Sequence, residues 1–273
     1  MAPSLTGASE HLSMPQFERY IGIDYSGAET PTSSLSGLRV YVADGWSPPR
    51  EILPPRSARK YWTRKGVAEW LRDELSGFKP ALVGIDHAFS FPLRYFESHH
   101  LPLDWLAFLD DFQRHWPTDE DRTYVCFVTD GSRGSGSERM GDPSWLRLTE
   151  LWTPAAKSVF QFNVQGQVAT STHAGLPWLR YLRARCSGKV HFWPFEGWEV
   201  PLGRSVVAEV YPSLWMRRFP RERRDADQHA AYSVAAWLQR ADGNGSLPRY
   251  FDPPLTPEER AVAKVEGWIL GVV

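Results

Sequence analysis

The chain has 273 residues, with 31 Lys and Arg against 32 Asp and Glu, for a formal net charge of -1. That balance excludes a uniformly basic nucleic-acid coat and an acidic solvating tail, and 42% hydrophobic residues exclude a disordered chain. Two cysteines are too few for a disulfide framework or a Cys-rich zinc site, so Cys126 and Cys186, each in an apolar stretch, read as reduced core residues of a cytoplasmic protein.

No run approaches the roughly 18 apolar residues of a membrane span. Residues 1–17 lack the basic and apolar blocks of a signal peptide and read as a flexible leader. A single domain is expected over 18–273. Tyr20 to Asp24 and Leu38 to Val42 read as strands, punctuated by Gly27, Gly37 and Gly45. Thr63 to Leu75 reads as a helix with Thr63 as its N-cap. Ala81 to Asp86 is a near-continuous apolar run ending in an acid, as a buried parallel strand would be. Asp104 to Trp116 carries Trp105, Phe108, Leu109, Phe112 and Trp116 on one helical face. Tyr124 to Val128 is taken as a strand, and Gly131 to Ser137 (GSRGSGS) as a mobile surface loop or lid. Ser144 to Leu151 and Leu176 to Ala184 are expected to be helical. Val190 to Trp193 and Val206 to Val210 are strand-like, and Asp227 to Gln239 forms an amphipathic helix. Thr256, Pro257 and Glu259 give the last helix a capping box with Pro at N1. Strands alternating with helices after an opening meander predict a mixed α/β sheet with helices on its faces.

Three acids sit in apolar company. Ile21-Gly22-Ile23-Asp24 and Val83-Gly84-Ile85-Asp86 share one ending, and Val206-Val207-Ala208-Glu209-Val210 buries a glutamate in an apolar run. Ionised carboxylates in such settings need a partner or a metal, and parallel strand ends converge on one sheet edge. A fourth acid, Asp225 or Asp227, precedes the Ala-rich helix. Both also suit the ordinary roles of a helix cap or dipole partner. Carboxylates without His or Cys ligands suit Mg²⁺ or Mn²⁺. Two such ions can serve both the attacking and leaving oxygens of a phosphodiester.

Two basic runs accompany the acids. Arg56 to Lys65 (RSARKYWTRK) sets Arg59, Lys60, Arg64 and Lys65 around Tyr61 and Trp62, a composition suited to single-stranded nucleic acid. Arg217 to Arg224 (RRFPRERR) brings Arg217, Arg218, Arg221, Arg223 and Arg224 directly upstream of the fourth acid, where they can hold a phosphate backbone. Either run is equally readable as a solvated face. Trp70, Trp105, Trp116 and Trp237 read as core, and so do Trp193 and Trp198. His87 is read as a hydrogen-bonded spacer or a group assisting a water, and His229 in the same two ways.

Gly22-Ile23-Asp24-Tyr25-Ser26-Gly27, then Gly84-Ile85-Asp86, then Ala208-Glu209-Val210-Tyr211-Pro212, then an Asp-bearing Ala-rich helix, together resemble the ribonuclease H-like superfamily. The first motif is similar to the opening of Holliday-junction resolvases. The Glu-Val-Tyr-Pro-Ser segment, Phe192 to Glu196 before it, and Asp227 to Leu238 resemble the predicted-nuclease family known as domain of unknown function 429. The resemblance runs from about Tyr20 to Leu238. The middle, about 92–160, matches no motif and reads as a helical and loop insertion. The resemblance implies a ribonuclease H-like mixed sheet with acids on strands one and four. It gives Asp24, Asp86 and Glu209 as catalytic metal ligands, and Asp227, with Asp225 as the alternative, as the fourth. Related helices often read Asp-Ala-x-Asp-Ala, whereas Ala230-Ala231-Tyr232-Ser233-Val234 lacks those acids. The function implied is a nuclease with two Mg²⁺ or Mn²⁺ ions and DNA or RNA as partner. The competing readings are ATP-dependent phosphotransfer of the actin and sugar-kinase type, and a non-catalytic nucleic-acid-binding module. The chain lacks Gly-x-x-x-x-Gly-Lys-Ser/Thr, Gly-x-Gly-x-x-Gly, His-Glu-x-x-His and Gly-x-Ser-x-Gly, which removes the P-loop, dinucleotide, zinc-protease and α/β-hydrolase readings.

Overall fold

The computed structural model describes residues 15–55, 59–154, 156–162 and 168–273. Most of the expected leader, and Arg56 of the first basic run, lie outside the described residues. Six strands form one mixed sheet: β1 (Arg19–Asp24), β2 (Arg39–Asp44), β3 (Arg50–Glu51), β4 (Ala81–Asp86), β5 (Val190–Phe192) and β6 (Ser205–Glu209). Their spatial order is β3-β2-β1-β4-β6-β5. The opening meander β1-β2-β3 is antiparallel, and β1, β4, β6 and β5 run parallel. The helices are α1 (Arg64–Leu75), α2 (Leu93–Ser98), α3 (Trp105–His115), α4 (Val125–Thr129), α5 (Leu148–Leu151), α6 (Ala169–Arg185), α7 (Ala226–Gly243), α8 (Leu247–Phe251) and α9 (Pro257–Glu266).

Strand alternation splits the core into two layers. Ile21, Ile23, Val83, Ile85 and Val207 face Val67 and Leu71 of α1 and Leu179 and Leu182 of α6. Tyr20, Leu82, Val206 and Ala208 face Val234, Trp237 and Leu238 of α7. Gly22 and Gly84 point to the α7 side. A Cβ on Gly22 would lie 2.2 Å from the Ala231 carbonyl oxygen and 2.7 Å from the Ala235 nitrogen. The α7 backbone therefore rests directly on β1, and the alanines of α7 keep that approach open.

The expected caps are present. Thr63 accepts from Gly66 N at 2.9 Å, and Thr256 and Glu259 close a capping box; Asp104, not foreseen as a cap, accepts from Ala107 N at 2.8 Å. Helix α6 begins seven residues before its expected start and runs through Pro177. Proline cannot donate to the carbonyl four residues back. That carbonyl, of His173, accepts the Thr118 hydroxyl at 2.6 Å instead.

Several expectations are corrected. Tyr124 to Val128 is not a strand: Val125 and Val128 are its buried residues, a spacing of three that belongs to helix α4. The GSRGSGS stretch lies at the surface as expected, except at one residue. Gly136 is buried, and a Cβ there would meet Val128 Cγ1 at 2.4 Å and Trp116 Cε2 at 2.7 Å. Cys126 is exposed, although Cys186 is buried and both are free. Trp105, Trp116, Trp193 and Trp237 are core, whereas Trp70 and Trp198 are half-buried. The folded body begins before residue 18: Phe17 is buried, and the Gln16 and Phe17 N–H groups donate to Asp242 at 3.0 and 2.9 Å.

Gly22→Ala forces α7 off the sheet and is expected to cost about 3 kcal/mol, an overpacking penalty. Urea unfolding of the two proteins measures it, and a loss below about 0.5 kcal/mol would contradict the close approach.

Candidate active site

Asp24 and Asp86 are the last residues of β1 and β4 and are partners in the parallel register. They follow Gly22 and Gly84 by two residues and so project toward the α7 side. Their side chains share a hydrogen bond. Burial, then the charges of Asp86 and Asp227, hold the Asp24 carboxyl well above the ordinary range. Burial, then the charge of Glu209, pushes Asp86 up to about 7, and only the bond to Asp24 works the other way. Arg39 stands opposite Asp24 in the antiparallel register, but its guanidinium goes to Glu51 and Asp225 at 3.0 and 2.9 Å. Burial and the neighbouring acids thus favour the protonated form at this carboxyl pair.

Helix α7 supplies the next acid. Asp225 is spent on structure: Oδ1 caps α7 through Gln228 N at 2.7 Å and Oδ2 accepts from Arg39. Asp227, in the first turn, faces the cleft with Asp24 and Asp86. Burial and then Asp225 raise its pKa. Of the two acids left open by the sequence, Asp227 is the one placed at the site.

Glu209 is placed differently. Its partner in the β4–β6 register is Ile85, one residue before Asp86. A shift of one residue sends a side chain to the opposite face. There Phe89 N donates to Glu209 Oε2 at 3.2 Å, and Arg147 donates to its two oxygens at 2.7 and 2.6 Å. Arg147 also donates through Nε to Glu150 at 2.9 Å. Burial works against the Arg147 guanidinium, but Glu209 and Glu150 overcome it and hold its pKa above the ordinary value. The sequence reading missed Arg147. The available signal was Arg147-x-x-Glu150 inside the apolar run Trp145 to Leu151.

The acids open into a cleft of about 890 Å³ between the strand ends, the Ser26–Ala28 loop and Thr170 and Ser171 of α6. Arg64 braces that loop from below, donating to the carbonyls of Ser26, Ala28 and Glu29 at 3.2, 2.5 and 3.0 Å. Burial pulls the His87 imidazole down to about 4, leaving it neutral, with Nδ1 donating to Ala88 O at 2.8 Å. His87 is therefore the hydrogen-bonded spacer of the two readings. His229 is likewise held, by Met216 O at 3.0 Å.

The basic runs divide. Arg64 and Trp62 are buried, at 0% and 3% exposure, and offer no surface to nucleic acid. Trp62 donates to Ile52 O at 2.7 Å. Both flank the cap of α1, where the chain turns into the core. Arg59, Lys60 and Lys65 are exposed. Arg217, Arg218, Arg221 and Arg223 are also exposed. Arg224 is not a surface cation of the same kind: it stacks over Tyr232 at 3.5 Å and pairs with Glu222 at 2.7 Å.

Among the described residues, no group of three or more His, Cys, Asp or Glu side chains is arranged to hold a metal ion. The Asp24–Asp86 pair, neighbours in register on β1 and β4, has the oxygen-donor chemistry a hard cation needs. Comparison with protein-family models, curated proteins and solved structures gives no match to this chain. No helix among the described residues is long and apolar enough to cross a membrane.

Asp86 is proton-rich in the folded state, since its pKa of about 7 lies above the ordinary 3.8. Between those values the folded chain binds more protons than the unfolded one, so this contribution to stability is full below about 4 and is lost as pH rises through about 7. Asp86→Asn removes it. The variant should therefore gain stability relative to the parent chain as pH rises from 4 to 8, measured by urea midpoints. A pH-independent difference would contradict the raised pKa.

Proposed function

We propose that the chain is a Mg²⁺- or Mn²⁺-dependent nuclease that hydrolyses phosphodiester bonds on a ribonuclease H-like sheet. The observation that carries this reading is the buried carboxyl pair Asp24 and Asp86, in register on strands one and four at the floor of an open cleft. That placement of acids is what the motif resemblance implies. A divalent cation bound there supplies a hydroxide at neutral pH and neutralises charge on the phosphoryl oxygens.

The chain's own residues do the rest. Asp24 and Asp86 would hold the cation as carboxylates, and their raised pKa values make its binding compete with protonation. Asp227 adds a third negative charge at the cleft wall. Arg64 fixes the Ser26–Ala28 loop against the strand ends, which keeps the floor rigid. Arg217, Arg218, Arg221 and Arg223 give phosphates a place to bind upstream of α7, and Arg59, Lys60 and Lys65 add a second basic patch. With Trp62 buried, the second patch offers charge more than base stacking. A non-catalytic nucleic-acid-binding module is favoured by one observation, the engagement of Glu209 by Arg147, and the same assay separates the two.

Purified protein with labelled DNA and RNA should show cleavage that requires Mn²⁺ or Mg²⁺. Asp24→Asn and Asp86→Asn should each lower the rate on the order of 10³-fold, about 4 kcal/mol of transition-state stabilisation. Cation-dependent cleavage that survives both substitutions would overturn the mechanism. Binding without cleavage would select the module. Joint replacement of Arg217, Arg218 and Arg221 by Ser should weaken binding uniformly across sequences and flatten its salt dependence, by a slope of roughly 1 per lost phosphate contact. An unchanged slope would remove this rim from the interface.

A further inference from the structure

Strand β6 ends in an acid that is out of phase with the other two. Asp24 and Asp86 lie opposite one another, whereas Glu209 lies opposite Ile85. Both Glu209 oxygens are taken by Arg147, in a pair whose side chains are only 5% and 1% exposed. A bidentate guanidinium uses the lone pairs that a cation would need. Arg147 is itself fixed from three further sides. Glu150 accepts its Nε and its backbone N–H at 2.9 and 2.8 Å, and the Glu266 carbonyl accepts Nη1 at 3.2 Å. Glu266 in turn accepts from Leu148 N at 2.6 Å and from Leu93 N. Freeing Glu209 for a metal would leave a buried guanidinium short of one partner, a costly arrangement.

The four-acid, two-ion centre implied by the sequence motifs does not fit this arrangement. We infer that the strand-end centre takes one divalent cation, at Asp24 and Asp86, and that Arg147 is the resident positive charge beside Glu209 where a second ion would otherwise sit. This rests on the metal-dependent reading above. Arg147 acts through Glu209 and is a positioning residue. The segment around 92–160 then has a defined role: it delivers a built-in cation to the end of β6.

Titration calorimetry of Mn²⁺ into the full chain, with a count of bound Mn²⁺ by electron paramagnetic resonance, tests the inference. One Mn²⁺ per chain is expected. Glu209→Gln should keep that ion with an affinity within about threefold of the parent, because Glu150 still balances the guanidinium. Asp86→Asn should weaken it at least about 30-fold. Circular dichroism establishes that each variant is folded; if Glu209→Gln is not, the count in the parent chain decides. Two ions per chain, or loss of the ion from folded Glu209→Gln, overturns the inference and leaves the metal-dependent reading standing. No ion bound by the parent chain overturns that reading and the inference with it.

Discussion

The structure depends on the contact between the backbone of α7 and β1 at Gly22. No side chain can stand between them, since even a Cβ would come within 2.2 Å of the Ala231 carbonyl. This seats the first turn of α7 over the end of β1, and with it Asp227 beside Asp24. The same requirement explains two features of the sequence that look unrelated. One is Gly22, two residues before Asp24. The other is the run of alanines in α7. Acids and glycines share a sheet face by the two-residue period of a strand, so the close approach and the concentrated charge are one arrangement.

Charge at the site is organised by withholding. Arg39, Arg64 and Arg147 all lie near the strand ends, and each is committed elsewhere: to Glu51 and Asp225, to loop carbonyls, and to Glu209 with Glu150. Burial and neighbouring acids raise the pKa of both Asp24 and Asp86. Glu209 shows the opposite solution in the same cleft, where a full set of donors makes the carboxylate part of the scaffold.

What the sequence disclosed follows from how local each determinant is. Asp24 and Asp86 were legible because both carry the same Gly-Ile-Asp ending, so their equivalence needed no knowledge of pairing. The caps Thr63 and Thr256 were legible because a cap is set by residues three apart. The mixed sheet and its opening meander followed from the order of strands and helices. Glu209 was legible as an acid at the cleft, but its pairing with Arg147 was not, because its direction depends on register against β4, a long-range property. Trp62 and Arg64 were read as surface because they sit in a basic run, yet the cap at Thr63 turns that run into the core. Helix α4 was missed because five apolar residues carry too little pattern to separate a spacing of three from one of two. Arg147 lies in the stretch where no motif pointed, and only the fold brings it to Glu209.

We propose that Asp24 and Asp86, buried side by side at the ends of β1 and β4, form a carboxyl pair that accepts a divalent cation. A crystal grown with Mn²⁺ and measured at the manganese absorption edge tests it most directly. The account predicts an anomalous peak bridging the Asp24 and Asp86 carboxylates, with Glu209 still paired to Arg147. Absence of that peak at saturating Mn²⁺, or a peak at Glu209 with Arg147 displaced, would contradict it.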